Sequence, residues 1–206
     1  MSDPTLVPDP AAVALLGPAV GADAPVEELF FGDAQLAMSS LPRLNLRYSG
    51  GKGVDFRGTD LTESRFCECG FSGGDFRWAV LEYAWAFDTS FAEAQFDEVE
   101  AAGLEFVSCD LRGSSWTHAQ LTGTRWSWTA ADNFLHVERA DFTGADFTNA
   151  TLTGGRFEGA SFKDVTFVDA TLVDCDFRGA VVDGACFDGA TLRNVRFDPG
   201  CGPPTA

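Results

Sequence analysis

The chain repeats every five residues through most of its length. Written in fives, it reads VDFRG TDLTE SRFCE CGFSG GDFRW from Val54, and ADFTG ADFTN ATLTG GRFEG ASFKD from Ala140. The third place of each block is almost always Phe or Leu, and the first place is nearly always small. A period of five fits neither the α-helix nor the alternation of a simple strand. It predicts a chain that turns a corner every five residues, with one large and one small side chain per side pointing inward.

A second spacing, of twenty residues, predicts four sides to each coil. The tripeptide Ala-Thr-Leu recurs at 150–152, 170–172 and 190–192, and the places 147, 167 and 187 are all Phe. About eight such coils, stacked as strands ~4.8 Å apart, give a rod roughly 35–40 Å long. An all-β sandwich would instead show two-residue alternation with turns every 8–12 residues, which does not account for the frame.

The blocks resemble the pentapeptide-repeat family, whose units read A(D/N)LXX with a central Leu or Phe. The resemblance covers about residues 31–198. It implies an all-β fold, a right-handed quadrilateral β-helix of about eight coils.

Both ends of such a rod need covering, because an open β-helix exposes unpaired backbone groups. In the N-terminal segment, residues 1–30, Asp9, Pro10 and Gly17 predict a short capping helix. The C-terminal tail, residues 199–206, is too short and Pro-rich for one. We therefore expect the last coil to pack against a second copy, and the family resemblance also implies dimerisation through C-terminal coils. The expected interface residues are Val182, Phe187, Leu192 and Phe197.

The frame shifts by one residue between the two parts of the β-helix, 31–126 and 140–198. If the column of Leu residues continues straight, Leu121 lies below Leu152, and residues 127–139 form a projecting loop. The loop would then carry exposed contact residues, Trp128, Phe134 and His136. A one-residue bulge within a continuous coil is the alternative.

Charge is the second strong feature, with 31 acidic and 14 basic residues and a net charge of −17. Such acidity argues against direct binding to nucleic acid or to an anionic membrane. Between Trp78 and Leu111 there are eight acids and no Lys or Arg. This acidic band is either a solubilising surface or part of a duplex-like rod that offers carboxylates to a basic DNA-binding groove. Its members are Glu82, Asp88, Glu93, Asp97, Glu98, Glu100, Glu105 and Asp110.

The sequence offers no catalytic, cofactor or metal site. Cys69, Cys109 and Cys175 occupy the small inward place, and the first two should lie ~9.6 Å apart, too far for a disulfide. Neither His118 nor His136 stands in a recognisable catalytic motif. With six reduced thiols, no signal-peptide pattern and no apolar membrane span, a cytoplasmic location is expected.

Size, acidity and a possible projecting loop are similar to those of the Qnr-type quinolone-resistance proteins within this family. The resemblance implies a non-enzymatic, dimeric DNA mimic that binds DNA gyrase or topoisomerase IV and protects it from topoisomerase poisons, in antibiotic resistance or self-resistance. The alternative is a scaffold or regulator that binds another partner through the flat faces of the solenoid. An enzyme that uses the 127–139 loop as part of a pocket is a third possibility.

Overall fold

The computed structural model describes residues 7–127 and 135–202, which form stacked four-sided coils. One α-helix, α1 (Pro10–Leu16), and a 3₁₀ helix (Gly17–Ala19) precede the coils. All other named elements are short strands. They are β1 (Val26–Glu27), β2 (Asn45–Arg47), β3 (Arg65–Cys67), β4 (Trp85–Phe87), β5 (Glu105–Val107), β6 (Arg125–Ser127), β7 (Leu135–His136), β8 (Thr151–Thr153), β9 (Gly155–Arg156), β10 (Thr171–Val173) and β11 (Thr191–Arg193).

Nine of the described strands form one parallel sheet along one side of the rod, in the order β1-β2-β3-β4-β5-β6-β8-β10-β11. Strands β7 and β9 pair separately, also in parallel. The other sides are held by single parallel bridges, for example from Gln35 to Asp55 and from Asp55 to Asp75. Partners are twenty residues apart on every side outside the frame shift, so the predicted β-solenoid of about eight four-sided coils is confirmed.

Each corner is a tight turn that the five-residue block encodes. At one of them the amide of Thr59 donates to the carbonyl of Phe56 at 3.0 Å, and Gly58 between them has a φ of 62°. A four-residue turn with positive φ at its third residue has the form of a type II turn, which favours Gly or Asn there. Other backbone groups form hydrogen bonds between neighbouring coils. For example, the amide of Phe56 donates to the carbonyl of Asp75 at 2.8 Å. Local turn chemistry therefore sets the side length at five residues.

The rod interior is a stack of aromatic and aliphatic side chains. The ring of Phe96 lies 4.7 Å from that of Phe76 and 3.9 Å from that of Trp116, and both pairs are nearly parallel. Rings on adjacent sides meet edge to face, as Phe91 does with Phe96. Each coil thus places the same kind of residue over its neighbour, which is why the central place accepts little besides Phe, Leu and Trp.

Two tryptophans in this core donate hydrogen bonds from their indole N–H groups to hydroxyl side chains. These hydroxyls belong to the small inward residues two positions earlier in the same blocks. Trp116 donates to the Ser114 hydroxyl at 2.8 Å, and Trp126 donates to the Thr124 hydroxyl at 2.9 Å. All four side chains are buried. A buried N–H without a partner would be costly, so these coils carry a hydroxyl where others have Ala.

The coil that crosses the frame shift contains 26 residues instead of twenty. Trp126 pairs with Leu152, and the amide of Leu121 donates to the carbonyl of Asp146 at 2.8 Å. Leu121 therefore lies over Phe147, and the expectation that it lies below Leu152 is wrong. A shift of one residue alone does not fit this pairing either. The six extra residues equal one full side plus one residue, and this is why the five-residue frame is displaced by one place after the insertion.

Helix α1 covers the first coil. The Asp9 carboxylate accepts the Ala11 amide at 2.9 Å as its N-cap, Pro10 opens the helix, and Gly17 follows it. Ala12 and Leu16 are buried against the core. Backbone hydrogen bonds join this segment to the coils, from Asp9 to Gln35 at 2.8 Å among others.

Candidate protein-interaction surface

The acidic band surrounds the middle of the rod. Its eight carboxylates come from two successive coils and are distributed over all four sides, because they belong to different five-residue blocks of the twenty-residue coil. Asp88, Glu93, Glu98 and Glu100 are exposed, and the other four are half-buried.

Three members of the band have partners in the next coil or on their own side. The Asp97 carboxylate accepts the Thr117 amide at 2.9 Å and its hydroxyl at 2.7 Å, and it also accepts the hydroxyl of Ser115. Glu105 forms an ion pair with Arg125 at 2.6 Å. The segment that carries the band contains no Lys or Arg, but Arg125 in the next coil neutralises one of its carboxylates.

Asp110 is the third partnered member. Arg112 donates to both of its carboxylate oxygens, at 2.8 and 2.6 Å. Burial alone would raise the pKa of Asp110, but the hydrogen bonds and charge of Arg112 outweigh it and hold this pKa below its usual value. The carboxylate is thus ionised but neutralised on its own side of the coil.

The pairing of Asp110 with Arg112 is a recurring unit of this chain. Wherever Asp precedes the central residue and Arg follows it, the two side chains form a bidentate ion pair. The pairs are Asp55–Arg57, Asp75–Arg77, Asp110–Arg112 and Asp176–Arg178. These aspartates therefore add little to the negative surface.

The five other carboxylates of the band form no hydrogen bond or ion pair with any residue in 7–127 or 135–202. They are Glu82, Asp88, Glu93, Glu98 and Glu100. Between them they represent all four sides of the rod, so a charged ring remains after the internal pairs are subtracted.

Of the three expected loop residues, Trp128 and Phe134 lie outside the described residues. His136 is described, and it belongs to β7, where its backbone bridges Asp110 on one side and Arg156 on the other. Its Nδ1 atom is 3.7 Å from a carboxylate oxygen of Glu138. The assignment of His136 to a projecting loop is therefore wrong, because this residue is paired on both sides within the coil wall.

In the described residues, the core of the last coil is only partly covered. Val182, Phe187 and Phe197 are only half-buried, and Leu192 is 37% exposed. The equivalent residues one coil earlier, Phe167 and Leu172, are fully buried. The difference arises because, within the described residues, no strand pairs with the far edge of β11.

Sequence reasoning missed a group of exposed aromatic residues beside the acidic band. Trp78 and Tyr83 are 46% and 66% exposed, and the half-buried rings of Trp85 and Phe87 lie nearly parallel with centroids 5.9 Å apart. A signal was present, because all four occupy outward or corner places of the five-residue block, where polar residues and Gly are usual.

The buried thiols have a packing role. Burial raises the pKa of Cys69 and of Cys175 to about 11 and that of Cys109 to about 12. Within the described ranges, no three His, Cys, Asp or Glu side chains are grouped so that they could hold a metal ion. No helix in this part of the chain is long and apolar enough to cross a membrane.

A four-sided parallel coil with five-residue sides and a Phe and Leu core defines a β-solenoid protein. The sequence pattern of the family described as Pentapeptide repeats matches it in 8 copies, over residues 52–82, 140–179 and 160–198. Over these residues the chain is a pentapeptide-repeat protein.

Several solved structures of this repeat class are similar to the chain. A trypsin-treated form of QnrB1, a plasmid-mediated fluoroquinolone resistance protein, is 21% identical, with 84% of this chain and 88% of that chain covered and a TM-score of 0.36. HetL from the cyanobacterium Nostoc, involved in the regulation of heterocyst differentiation, is 16% identical, with 92% and 94% covered and a TM-score of 0.28. A pentapeptide-repeat protein from the Arabidopsis thaliana thylakoid lumen is 24% identical, with 59% and 67% covered and a TM-score of 0.23.

These proteins have different described roles, so the likeness does not distinguish between functions. No curated protein matches the sequence of this chain.

Proposed function

We propose that this protein is a non-enzymatic, cytoplasmic DNA mimic that binds DNA gyrase or topoisomerase IV and protects it from topoisomerase poisons. The choice of a topoisomerase rests on the resemblance of the repeats to the Qnr-type proteins. The mimicry itself rests on the charge and dimensions of the rod.

The linear charge density of the rod supports this proposal most directly. The nine strands stacked in the described sheet span about 38 Å. The segment that contains these strands, residues 26–193, has 27 acidic and 13 basic residues, and its net charge of −14 over that length corresponds to one negative charge per about 2.7 Å. Double-stranded DNA carries one per roughly 1.7 Å. A partner protein whose cleft binds duplex DNA through Lys and Arg side chains would therefore encounter a negative charge density of the same order on this protein.

The placement of the unpaired carboxylates adds to this support. Exposed Asp88, Glu93, Glu98 and Glu100 project from different sides of the rod, so a groove could approach it from several directions. Charge of this kind accelerates association and orients the partner, and its effect decreases with ionic strength.

We also propose that two copies associate through the open C-terminal coil. The half-buried side chains of Val182, Phe187 and Phe197 would be covered by the same residues of the second copy. Such an arrangement would roughly double the length of the negative rod and remove its exposed end.

The decisive experiment combines binding and supercoiling assays with purified DNA gyrase, with and without a quinolone. We expect the protein to bind gyrase, to inhibit supercoiling at high concentration, and to reduce quinolone-stabilised cleavage at lower concentration. No binding, no inhibition and no protection would exclude the topoisomerase and favour a scaffold role with another partner.

A matched pair of variants tests the acidic band. Reversing Glu93, Glu98 and Glu100 to Lys should weaken gyrase binding by at least about tenfold, because three unpaired surface charges change sign. The control reverses three exposed acids about three coils away, Glu158, Asp164 and Asp169, and changes the net charge equally. Equal losses in both variants would mean that only total charge matters, and no loss in the first would exclude this surface.

A further inference from the structure

One coil of the rod presents two exposed and two half-buried aromatic side chains on two adjacent sides. Trp78 and Tyr83 lie at the two corners of one side, and Trp85 and Phe87 continue onto the next side as outward residues of β4. We call these four residues the aromatic edge. Exposed aromatic groups of this size are unusual on a soluble monomer and mark surfaces that another molecule covers.

Unpaired carboxylates adjoin the aromatic edge in both neighbouring coils. Glu98 occupies the corner next to Trp78, since the Trp78 amide donates to the carbonyl of Asp97. Glu63 occupies the corner next to Tyr83 in the preceding coil, and its own amide donates to the Glu82 carbonyl at 2.8 Å. Both carboxylates are exposed, and neither has an ion-pair partner among the described residues.

The side between Trp78 and Tyr83 continues this pattern. Its outward residue Val80 is flanked by Asp60 and Glu100, one in each adjoining coil. On the next side the charge is mixed, because Trp85 lies between Arg65 and Glu105. The apolar strip is therefore bordered by negative charge mainly at its Trp78 and Tyr83 end, where Arg77, whose guanidinium lies over the Trp78 ring, is itself paired with Asp75.

We infer that the aromatic edge inserts into an apolar cleft of a protein partner whose rims carry Arg or Lys. The apolar rings would supply contact area, of the order of 150–250 Å² for each fully buried aromatic side chain. The carboxylates of Glu63, Glu98 and Glu100 would face the basic rims. Trp and Tyr are the residues most often found at the energetic centre of such interfaces.

Charge decides between the possible occupants of this surface. A second copy would place the same carboxylates, Glu63, Glu98 and Glu100, against each other, which disfavours pairing of two aromatic edges. An anionic lipid surface would be repelled for the same reason. A basic protein cleft satisfies both the apolar and the negative parts of the surface.

This inference rests on the proposed function in using gyrase as the partner, and it adds a contact that mimicry of DNA does not supply. A duplex offers phosphates to a basic groove, and its affinity decreases steeply with salt. Contacts with Tyr83 and Trp85 depend on buried apolar area, so they should persist at high ionic strength. The aromatic edge would let the partner distinguish this rod from DNA.

The test is a double variant, Tyr83→Asn with Trp85→Thr. Asn149 and Thr151 occupy the same corner and the same strand place elsewhere in the rod, so the replacements suit the fold. The control is Phe30→Ser, which removes a 74% exposed ring from the first coil at a place where Ser90 occurs later. Affinity for purified gyrase is measured in ~0.1 M and ~0.5 M NaCl, on either side of physiological screening.

We expect the double variant to bind at least about tenfold more weakly at both salt concentrations, with an unchanged salt dependence. The control should bind within about twofold of the original protein. Equal binding by the double variant would overturn the inference and leave the proposed function standing. Absence of binding by the original protein would overturn both, and a changed oligomeric state of the double variant in light scattering would identify a second copy as the occupant instead.

Discussion

The ring of Tyr83 lies over the backbone of Gly103 in the next coil. A β-carbon added to Gly103 would be 2.7 Å from the Cδ1 atom of that ring, closer than real β-carbons approach another atom. The absence of a side chain at Gly103 thus determines where the most exposed ring of the aromatic edge lies.

Replacing Gly103 with Ala should therefore displace the Tyr83 ring. Gly123 provides the control, because it occupies the same corner one coil further with a nearly equal φ of 68° against 69°, and a β-carbon there would meet nothing within 4 Å. Both changes carry the cost of positive φ, about 1 kcal/mol. Gly103→Ala should additionally weaken gyrase binding, measured by calorimetry. Equal binding by the two variants would show that the position of the ring is unimportant.

The second prediction concerns the core stack. Phe167 is fully buried between the rings of Phe147 and Phe187, with centroids 5.3 and 5.0 Å away. Phe167→Ala should lower the free energy of unfolding by about 3–5 kcal/mol, through lost burial and the cavity that remains. Urea denaturation measures the change. The same truncation at exposed Phe30 should cost less than about 0.5 kcal/mol, and a similar cost at both sites would contradict the stacked core.

The third prediction concerns the cation that neutralises part of the acidic band. Arg125 pairs with Glu105, and its side chain is 70% exposed. Arg125→Gln should free the Glu105 carboxylate and raise the association rate with gyrase severalfold at low salt, with little change in melting temperature. Stopped-flow fluorescence measures the rate. Arg193→Gln, on the same side in the last coil, is the matched control, and an equal acceleration would show a general charge effect.

The fourth prediction addresses the open C-terminal coil. Phe187→Asp should convert a dimer into a monomer in light scattering, because a charged group at the end of the core could not be buried against a second copy. Val181→Asp is the control, since Val181 faces outward and is 47% exposed, and Asp141 occupies the corresponding place earlier. If the Phe187 variant remains dimeric, the interface lies elsewhere.

The fifth prediction follows from the buried thiols. Desolvation raises the pKa of Cys109 to about 12 and that of Cys69 to about 11, so these thiols are almost entirely protonated at pH 8. Since the thiolate is the reactive species, iodoacetamide should label exposed Cys201 first and leave Cys69, Cys109 and Cys175 unmodified in the native protein. Mass spectrometry reads the sites. Labelling of all six residues only in denaturant is expected, and early modification of Cys109 would contradict its burial.

The frame shift shows where reasoning from a repeat stops. Insertions of one, six or eleven residues all change a five-residue frame by one place, so the period cannot distinguish between them. Inter-coil hydrogen bonds do, because Leu121 bonds to Asp146 and Trp126 pairs with Leu152. The same pairing places His136 in the coil wall, where the sequence interpretation had a loop.

The candidate site shows the same limit. The eight acids of the band were evident from the sequence, but the pairing of Glu105 with Arg125 joins residues one full coil apart. The aromatic edge was missed because a ring such as Trp85 was counted only as part of the composition, whereas its exposure depends on the place it occupies around the coil.

The sequence by itself determined the five-residue side, the four-sided coil and the identity of the core, because turn chemistry and inward packing act within a single block. Asp9 and Pro10 likewise set the start of α1 through contacts with their immediate neighbours. Only the tertiary structure decided which carboxylates remain unpaired and which rings are exposed. Apart from the Asp–Arg pairs within one block, those properties depend on contacts between neighbouring coils, about twenty residues apart in the chain. A local repeat carries no information about which side chains meet at that distance.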